Sequence, residues 1–157
     1  NKIDNVVLEE IDIERDVKRL PVYLKVVEGE LQGIAIPVAG KGLWSTLFGY
    51  IALGPDLDTV LGIQFYKHGE TPGLGGEVEK EWFTNNFVGK KIRNVDGEII
   101  GIKVLKGKVD YSKEDAIHQV DGISGATVTS NGVTVFLKDD LKRYEPYLNK
   151  IKENGII

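Results

Sequence analysis

The chain contains no cysteine. That absence excludes a disulfide scaffold, thiolate metal sites and a cysteine nucleophile. It also contains no methionine and begins at Asn1, which leads us to expect that a signal peptide, a tag or a membrane anchor has been removed. Histidine is scarce: His68 and His118 stand far apart, which argues against a dedicated zinc site. No run of 18 apolar residues occurs, so nothing in this sequence has the length of a membrane-spanning helix. A basic excess is missing too. Lys and Arg number 20 against 24 Asp and Glu, for a formal net charge of -4, and a nucleic-acid binder ordinarily shows the opposite balance. The longest basic cluster, Lys90-Lys91-Ile92-Arg93, reads as a solvated turn.

What remains is an ordinary soluble composition, with 41% hydrophobic and 28% charged residues in 157. That length suits one domain, residues 1–157, with a core of its own. Residues 6–20 are rich in both charges and end at Pro21, and are expected to form a helix. VYLKVV (22–27) and LQGIAIPV (31–38) predict a hairpin across Glu28-Gly29-Glu30. Residues 50–53 and 59–66 predict two more strands, parted by the turn GPDLD, where Asp56 and Asp58 are turn residues. Residues 78–87 predict a short helix with Trp82, Phe83 and Phe87 in the core. Asp96-Gly97 centres a hairpin between 91–95 and 98–105. Ser112 is expected to cap the segment KEDAIHQV. Residues 127–152 predict a long terminal helix with Leu137, Leu141, Tyr144 and Leu148 on one face. Gly132 is an early weak point in it, and Pro146 is expected to kink or end it. The fold class is α+β: a mostly antiparallel, hairpin-rich sheet flanked by helices, with a long C-terminal helix.

Three glycine-rich segments carry chemistry. Asp121-Gly122-Ile123-Ser124-Gly125-Ala126-Thr127-Val128-Thr129-Ser130 is small, polar and opens a helix. Unpaired backbone N–H groups at a helix start attract an anion, and small residues let a phosphate reach them. From the residues alone, an N-capped turn is the commoner explanation. HGETPGLGGE (68–77) is a rigid loop whose backbone can approach a flat ligand, or a long surface turn. GKGLWS (40–45) holds Trp44 in a loop, as a stacking aromatic or as a half-buried structural one.

DGISGATVTSNGV closely resembles the flavinylation motif of FMN-binding domains. These occur in one subunit of the Na+-translocating NADH:quinone reductase and in one subunit of the related Rnf electron-transport complex. The family pattern is Asp-Gly-x-x-Ser-Gly-Ala-Thr; Asp121, Gly122, Ser124, Gly125, Ala126 and Thr127 match in kind, with Ile123 alone between Gly122 and Ser124. The segment 70–75 resembles the family's ETPGLG loop, which lies against the flavin. The resemblance runs from about Gly33 to the end of the chain. It implies FMN held by a phosphoester to Thr127, with Thr129 the competing hydroxyl. It also implies Ser124, Gly125, Ala126, Glu70, Thr71, Gly73 and Leu74 as contacts, with Leu74 on the ring face, and Trp44 as the stacking residue. The isolated domain would be a redox carrier rather than a complete catalyst. The implied partners are the other subunits of a membrane redox complex and a flavin transferase that splits FAD. The implied location is the outer, periplasmic face of the bacterial cytoplasmic membrane, reached through an N-terminal helix absent from this sequence. ATVTSNGV looks closer to the quinone reductase subunit than to its Rnf relative, and a binding module of the same fold that never receives flavin is the reading from another class.

Overall fold

Alternation builds the sheet. Ile34, Ile36 and Val38 are buried on one face, as are Leu47, Gly49, Ile51 and Leu53, while the residues between them stay partly or fully exposed; Gly33, just before Ile34, is buried as well. These residues lie in a computed structural model that describes residues 6–12 and 19–156, with side chains from residue 20 onward. Strands β1 (Val6–Asp12), β2 (Arg19–Val27), β3 (Glu30–Lys41), β4 (Thr46–Leu53) and β5 (Val60–Lys67) form one five-stranded antiparallel sheet in sequential order. Register sets Ile36 opposite Ile51 and Ile51 opposite Ile63, which stacks the apolar residues in one layer.

One helix covers that layer. Helix α2 (Thr127–Asn154) buries Val133, Leu137, Leu141, Tyr144, Leu148 and Ile151, a stripe at helical spacing that joins the same core as β2–β5. The Tyr144 hydroxyl donates to the Pro21 carbonyl at 2.8 Å and ties the helix to β2. Between β5 and α2 the chain makes a helical corner and a pair of two-residue strands. The corner is a 3-10 turn (Gly75–Glu79), α1 (Glu81–Thr84) and a second 3-10 turn (Asn85–Phe87). The strands β6 (Lys103–Val104) and β7 (Gln119–Val120) pair in parallel.

Several expectations are corrected. The helix expected over 6–20 is a strand over 6–12, paired from Val6↔Lys25 to Asp12↔Arg19; residues 13–18 of that expectation lie outside the described residues. Pairing with β2 satisfies the backbone there and overrides the charge-rich local pattern. The helix expected over 78–87 is broken into three short turns. Phe83 and Phe87 are fully buried with rings 5.4 Å apart, but Trp82 is 47% exposed and its Nε1–H donates to Glu77 at 2.8 Å. Neighbouring helical residues point about 100° apart, so Phe83 turned inward leaves Trp82 outside. Pro146 does not end α2; its side chain and Lys142 are exposed, so water can serve the Lys142 carbonyl that loses its N–H partner. The hairpin at Asp96-Gly97 survives as a turn with one bridge, Arg93↔Ile99. Ser112 does not cap its segment. Its hydroxyl donates to Asp110 at 2.6 Å, and the 3-10 turn at Glu114–His118 has no side-chain cap.

Two residues of the basic cluster are not solvated. Lys90 and Arg93 are 7% and 4% exposed. Lys90 Nζ donates to the Ala116 carbonyl at 2.9 Å and lies 4.9 Å from the Tyr111 ring centre; burial lowers its pKa. Arg93 donates to the Leu57 and Gly97 carbonyls at 3.1 and 2.6 Å. Both cations fasten loops to the body of the domain, and Arg93 Nη1 also lies 4.0 Å from the Glu145 carboxylate.

Candidate functional site

A carboxylate organises the site from below. Glu70 is only 5% exposed and accepts five hydrogen bonds. The backbone N–H groups of Leu43, Trp44 and Ser45 donate to it at 2.6, 2.9 and 3.0 Å, and the Ser45 hydroxyl at 3.0 Å. The Thr129 hydroxyl donates at 2.7 Å from the first turn of α2. Burial by itself would raise the Glu70 pKa, but these hydrogen bonds, led by that from Thr129, outweigh it and hold the carboxyl below its ordinary value. The result is a tight turn over 42–45 that carries Leu43 and Trp44 outward, 50% and 71% exposed. Glu70 itself is fixed from behind: its N–H donates to His68 Nδ1 at 3.1 Å, while His68 Nε2 lies 2.9 Å from Glu79.

The second wall is the start of α2. Gly132 lets the helix press onto the end of β3, since a Cβ there would overlap the Lys41 carbonyl oxygen. The weak point read in the sequence is therefore a packing contact. Before the helix, Gly125 adopts φ +74, which favours glycine, and Leu74 Cδ2 lies 3.0 Å from where a Cβ on Gly125 would stand. The Leu74 turn thus closes over the small-residue stretch. Asp121 braces the stretch from the other side. Its carboxylate accepts from the Val109 N–H at 2.8 Å and from Lys108 at 2.9 Å, and these contacts, against the opposing effect of burial, keep its pKa low.

Between these walls the helix start is open. Ala126 caps α2 without any side-chain hydrogen bond, and no acidic residue occupies the first turn. Thr127 and Val128 are exposed, as are Ser124 and Gly125, whereas Thr129 is 1% exposed and Ala126 is 5% exposed. Thr71, Gly73 and Leu74 are exposed on the facing turn, in which the Thr71 carbonyl accepts from the N–H groups of Leu74 and Gly76. Trp44, the Leu74 turn and the Thr127 helix start, all singled out in the sequence, are thereby joined through Glu70 and Gly125. Glu70 and Thr129 belong to the same group but face inward, and neither offers a free polar atom to a ligand. Sequence reasoning missed Ser45 and His68. Ser45 bridges Glu70 and the Gly69 N–H, at 3.0 and 2.8 Å, across some two dozen residues of chain, and no spacing rule signals such a contact.

A family model for the FMN-binding domain matches residues 42–142. The chain belongs to the FMN-binding domain family. The matched region spans both the Trp44 turn and the start of α2. This FMN-binding domain is 48% identical over 121 residues to the C subunit of the Na(+)-translocating NADH-quinone reductase of Pseudomonas aeruginosa, covering 77% of this chain and 46% of that protein. It is 43% identical over 149 residues to the corresponding protein of Vibrio alginolyticus, covering 92% and 56%. The chain therefore spans about half the length of these relatives. Among solved structures, the domain superposes on Shewanella oneidensis NqrC with a TM-score of 0.78 at 32% identity, covering 95% of this chain and 70% of the other. The C subunit of the Parabacteroides distasonis Na(+)-translocating NADH-quinone reductase gives 0.74 at 35% identity, covering 93% and 78%. The α+β architecture with its long C-terminal helix agrees with both.

The residues present fit FMN. An uncapped helix start with no acidic residue in its own first turn suits a phosphate. An exposed indole and an exposed leucine on rigid turns suit a flat ring. Among the described residues, no helix is long and apolar enough to cross a membrane.

Proposed function

We propose that this domain is an electron carrier of a membrane NADH:quinone oxidoreductase, holding FMN through a phosphoester to Thr127. The observation that carries the acceptor assignment is the contrast between two hydroxyls. Thr127 is exposed at an uncapped helix start, whereas Thr129 is buried and already donates to Glu70. A transferase can reach only the first without unfolding the turn.

In the attachment step, Thr127 Oγ forms a bond to the FMN-side phosphorus of FAD. The pyrophosphate P–O bond breaks, AMP leaves with the bonding pair, and the hydroxyl proton is released to a base of the transferase or to water. The N–H groups of the first turn of α2 and the helix dipole stabilise the phosphate charge. Trp44 and Leu74 offer apolar surface to the ring. Gly125 and Ala126 leave room beside the phosphate. Once bound, the flavin supplies redox chemistry, accepting electrons from one partner cofactor and passing them to another.

The shallow, solvent-facing arrangement of Trp44, Leu74 and Thr127 supports a ring whose edge stays exposed for a partner. A site so open limits noncovalent affinity, and a covalent link removes dissociation. The names of the relatives at 43% and 48% identity favour the Na+-translocating quinone reductase over the Rnf complex. On this reading the partners are the other subunits and a flavin transferase. The domain lies on the outer face of the bacterial cytoplasmic membrane, anchored upstream; the family resemblance alone supports this placement.

The test is intact mass and peptide mapping after co-expression with a flavin transferase. A gain of one FMN less water on the peptide holding Thr127, lost in Thr127→Val, is the expected result. The same gain on Thr129 would move the acceptor. No gain, with the transferase active on a control substrate, would overturn the covalent attachment and leave a domain of this family that does not carry its cofactor covalently.

A further inference from the structure

We infer that Glu70 is a positioning residue for the ring-stacking side chain: its buried carboxylate clamps the 42–45 turn to the acceptor helix and so sets where Trp44 stands. The inference rests on the proposed flavin site for its consequence, but the clamp itself can be tested without flavin.

The geometry argues against direct contact with a cofactor. Both Glu70 oxygens are engaged: Oε1 accepts from the Leu43 N–H and the Thr129 hydroxyl, Oε2 from the Trp44 and Ser45 N–H groups and the Ser45 hydroxyl. All the donors come from within the domain, and the side chain is 5% exposed. A carboxylate close to a phosphate would also repel it, and here the charge is absorbed by donors on the inner side. The donors sit 25 to 27 residues before Glu70 and 59 after it, so one side chain joins three separate segments of chain. The Leu43, Trp44 and Ser45 N–H groups on either side of the Trp44 Cα all end on this one group, beside the Gly42 N–H to Ser45 carbonyl bond at 2.9 Å that closes the turn, while Trp44 is 71% exposed. Orientation of the indole therefore follows its backbone, and Glu70 ties that backbone to α2 through Thr129. The close fit behind the carboxylate points the same way, because a Cβ on Gly75 would stand 2.5 Å from Thr129 Oγ1 and 3.1 Å from Glu70 Cβ.

Glu70→Gln replaces one acceptor oxygen by a donor NH2. The amide oxygen can keep the three donors at the Oε2 position, and Thr129 can rotate to accept, but the Leu43 N–H then faces another donor and loses its partner. The experiment has two arms. In the protein without flavin, hydrogen exchange is read at the amides of Leu43, Trp44 and Ser45. In the wild type these are expected to be protected although they lie on a surface turn, and Glu70→Gln is expected to speed their exchange by about tenfold or more. Thr129→Val, which removes one donor only, is expected to shift the same amides in the same direction by less. In flavinylated protein at equal loading, quenching of flavin fluorescence by Trp44 is the readout. Trp44→Phe is expected to raise emission several-fold, and Glu70→Gln to raise it most of the way to that level while the FMN mass stays on Thr127. Unchanged exchange in Glu70→Gln would overturn the clamp. Unchanged emission in Glu70→Gln with full loading, or in Trp44→Phe, would overturn its positioning role and leave the flavin-carrier reading standing. Wild-type protein that accepts no flavin would instead remove the carrier reading, with the exchange arm still deciding the clamp.

Discussion

Gly132→Ala sets helix propensity against packing. In the second turn of a 28-residue helix, alanine in place of glycine would ordinarily stabilise by about 1 kcal/mol. At this position the added Cβ overlaps the Lys41 carbonyl oxygen, and the Gly42 Cα lies 3.5 Å away. Both obstacles are backbone, so no side-chain rotation relieves them, and α2 or the end of β3 must move. Overpacking of this kind costs about 1–3 kcal/mol, with an immovable neighbour placing it near the upper end. The net expectation is a loss of about 2 kcal/mol, which in a domain of this size lowers Tm by roughly 4–8 °C. Circular dichroism through thermal unfolding reads it directly. Gly107→Ala is the control, since nothing stands within 4 Å of a Cβ there, and its stability should change by no more than about 0.5 kcal/mol. A Tm for Gly132→Ala at or above the wild type would refute the close contact between α2 and the Trp44 turn on which the site geometry depends.

The two threonines should separate in stability as well as in chemistry. Thr127→Val removes an exposed hydroxyl and should alter stability by about 0.5 kcal/mol or less, whereas Thr129→Val breaks a 2.7 Å hydrogen bond to a buried carboxylate and should cost about 1.5–3 kcal/mol in urea unfolding. The Glu70 carboxyl has its folded pKa below its unfolded one, so its stabilisation is complete above the ordinary carboxylate range and is lost as pH falls through the folded value. Unfolding free energy measured downward from pH 6 should decline more steeply in the wild type than in Glu70→Gln; parallel curves would contradict the clamp's ionisation. Tyr144→Phe should cost about 1 kcal/mol through the Pro21 carbonyl it leaves unpaired. Burial pushes the Tyr144 pKa up to about 12, so an absorbance titration should find this tyrosine still protonated at pH 11.

How much of this is legible in the sequence differs by element. Strands β3 to β5 follow from alternation, and the apolar stripe of α2 is visible as Leu137, Leu141, Tyr144 and Leu148. Both patterns are local and repeat with the period of the element. Strand β1 escapes such a reading because the mixed charges of residues 6–20 suit a surface helix, and only the partner β2 makes the extended form favourable. Arg93 escapes it for a related reason. Its acceptors, the Leu57 and Gly97 carbonyls, lie on turns whose approach no local pattern encodes. Trp82 is misplaced by the sequence because a run of aromatics marks an apolar segment without saying which ring turns inward.

The site divides in the same way. By itself the sequence determined the family motif, the glycine-rich loops and the small residues before α2, since these are properties of residue type and order. It named Glu70 and Thr129 but could not say which way they face. Two residues along a helix turn a side chain by about 200°, so of Thr127 and Thr129 one must leave the surface when the other meets solvent. Which one does so was decided by the face that α2 lays against β3, and by the carboxylate of Glu70 waiting beneath it.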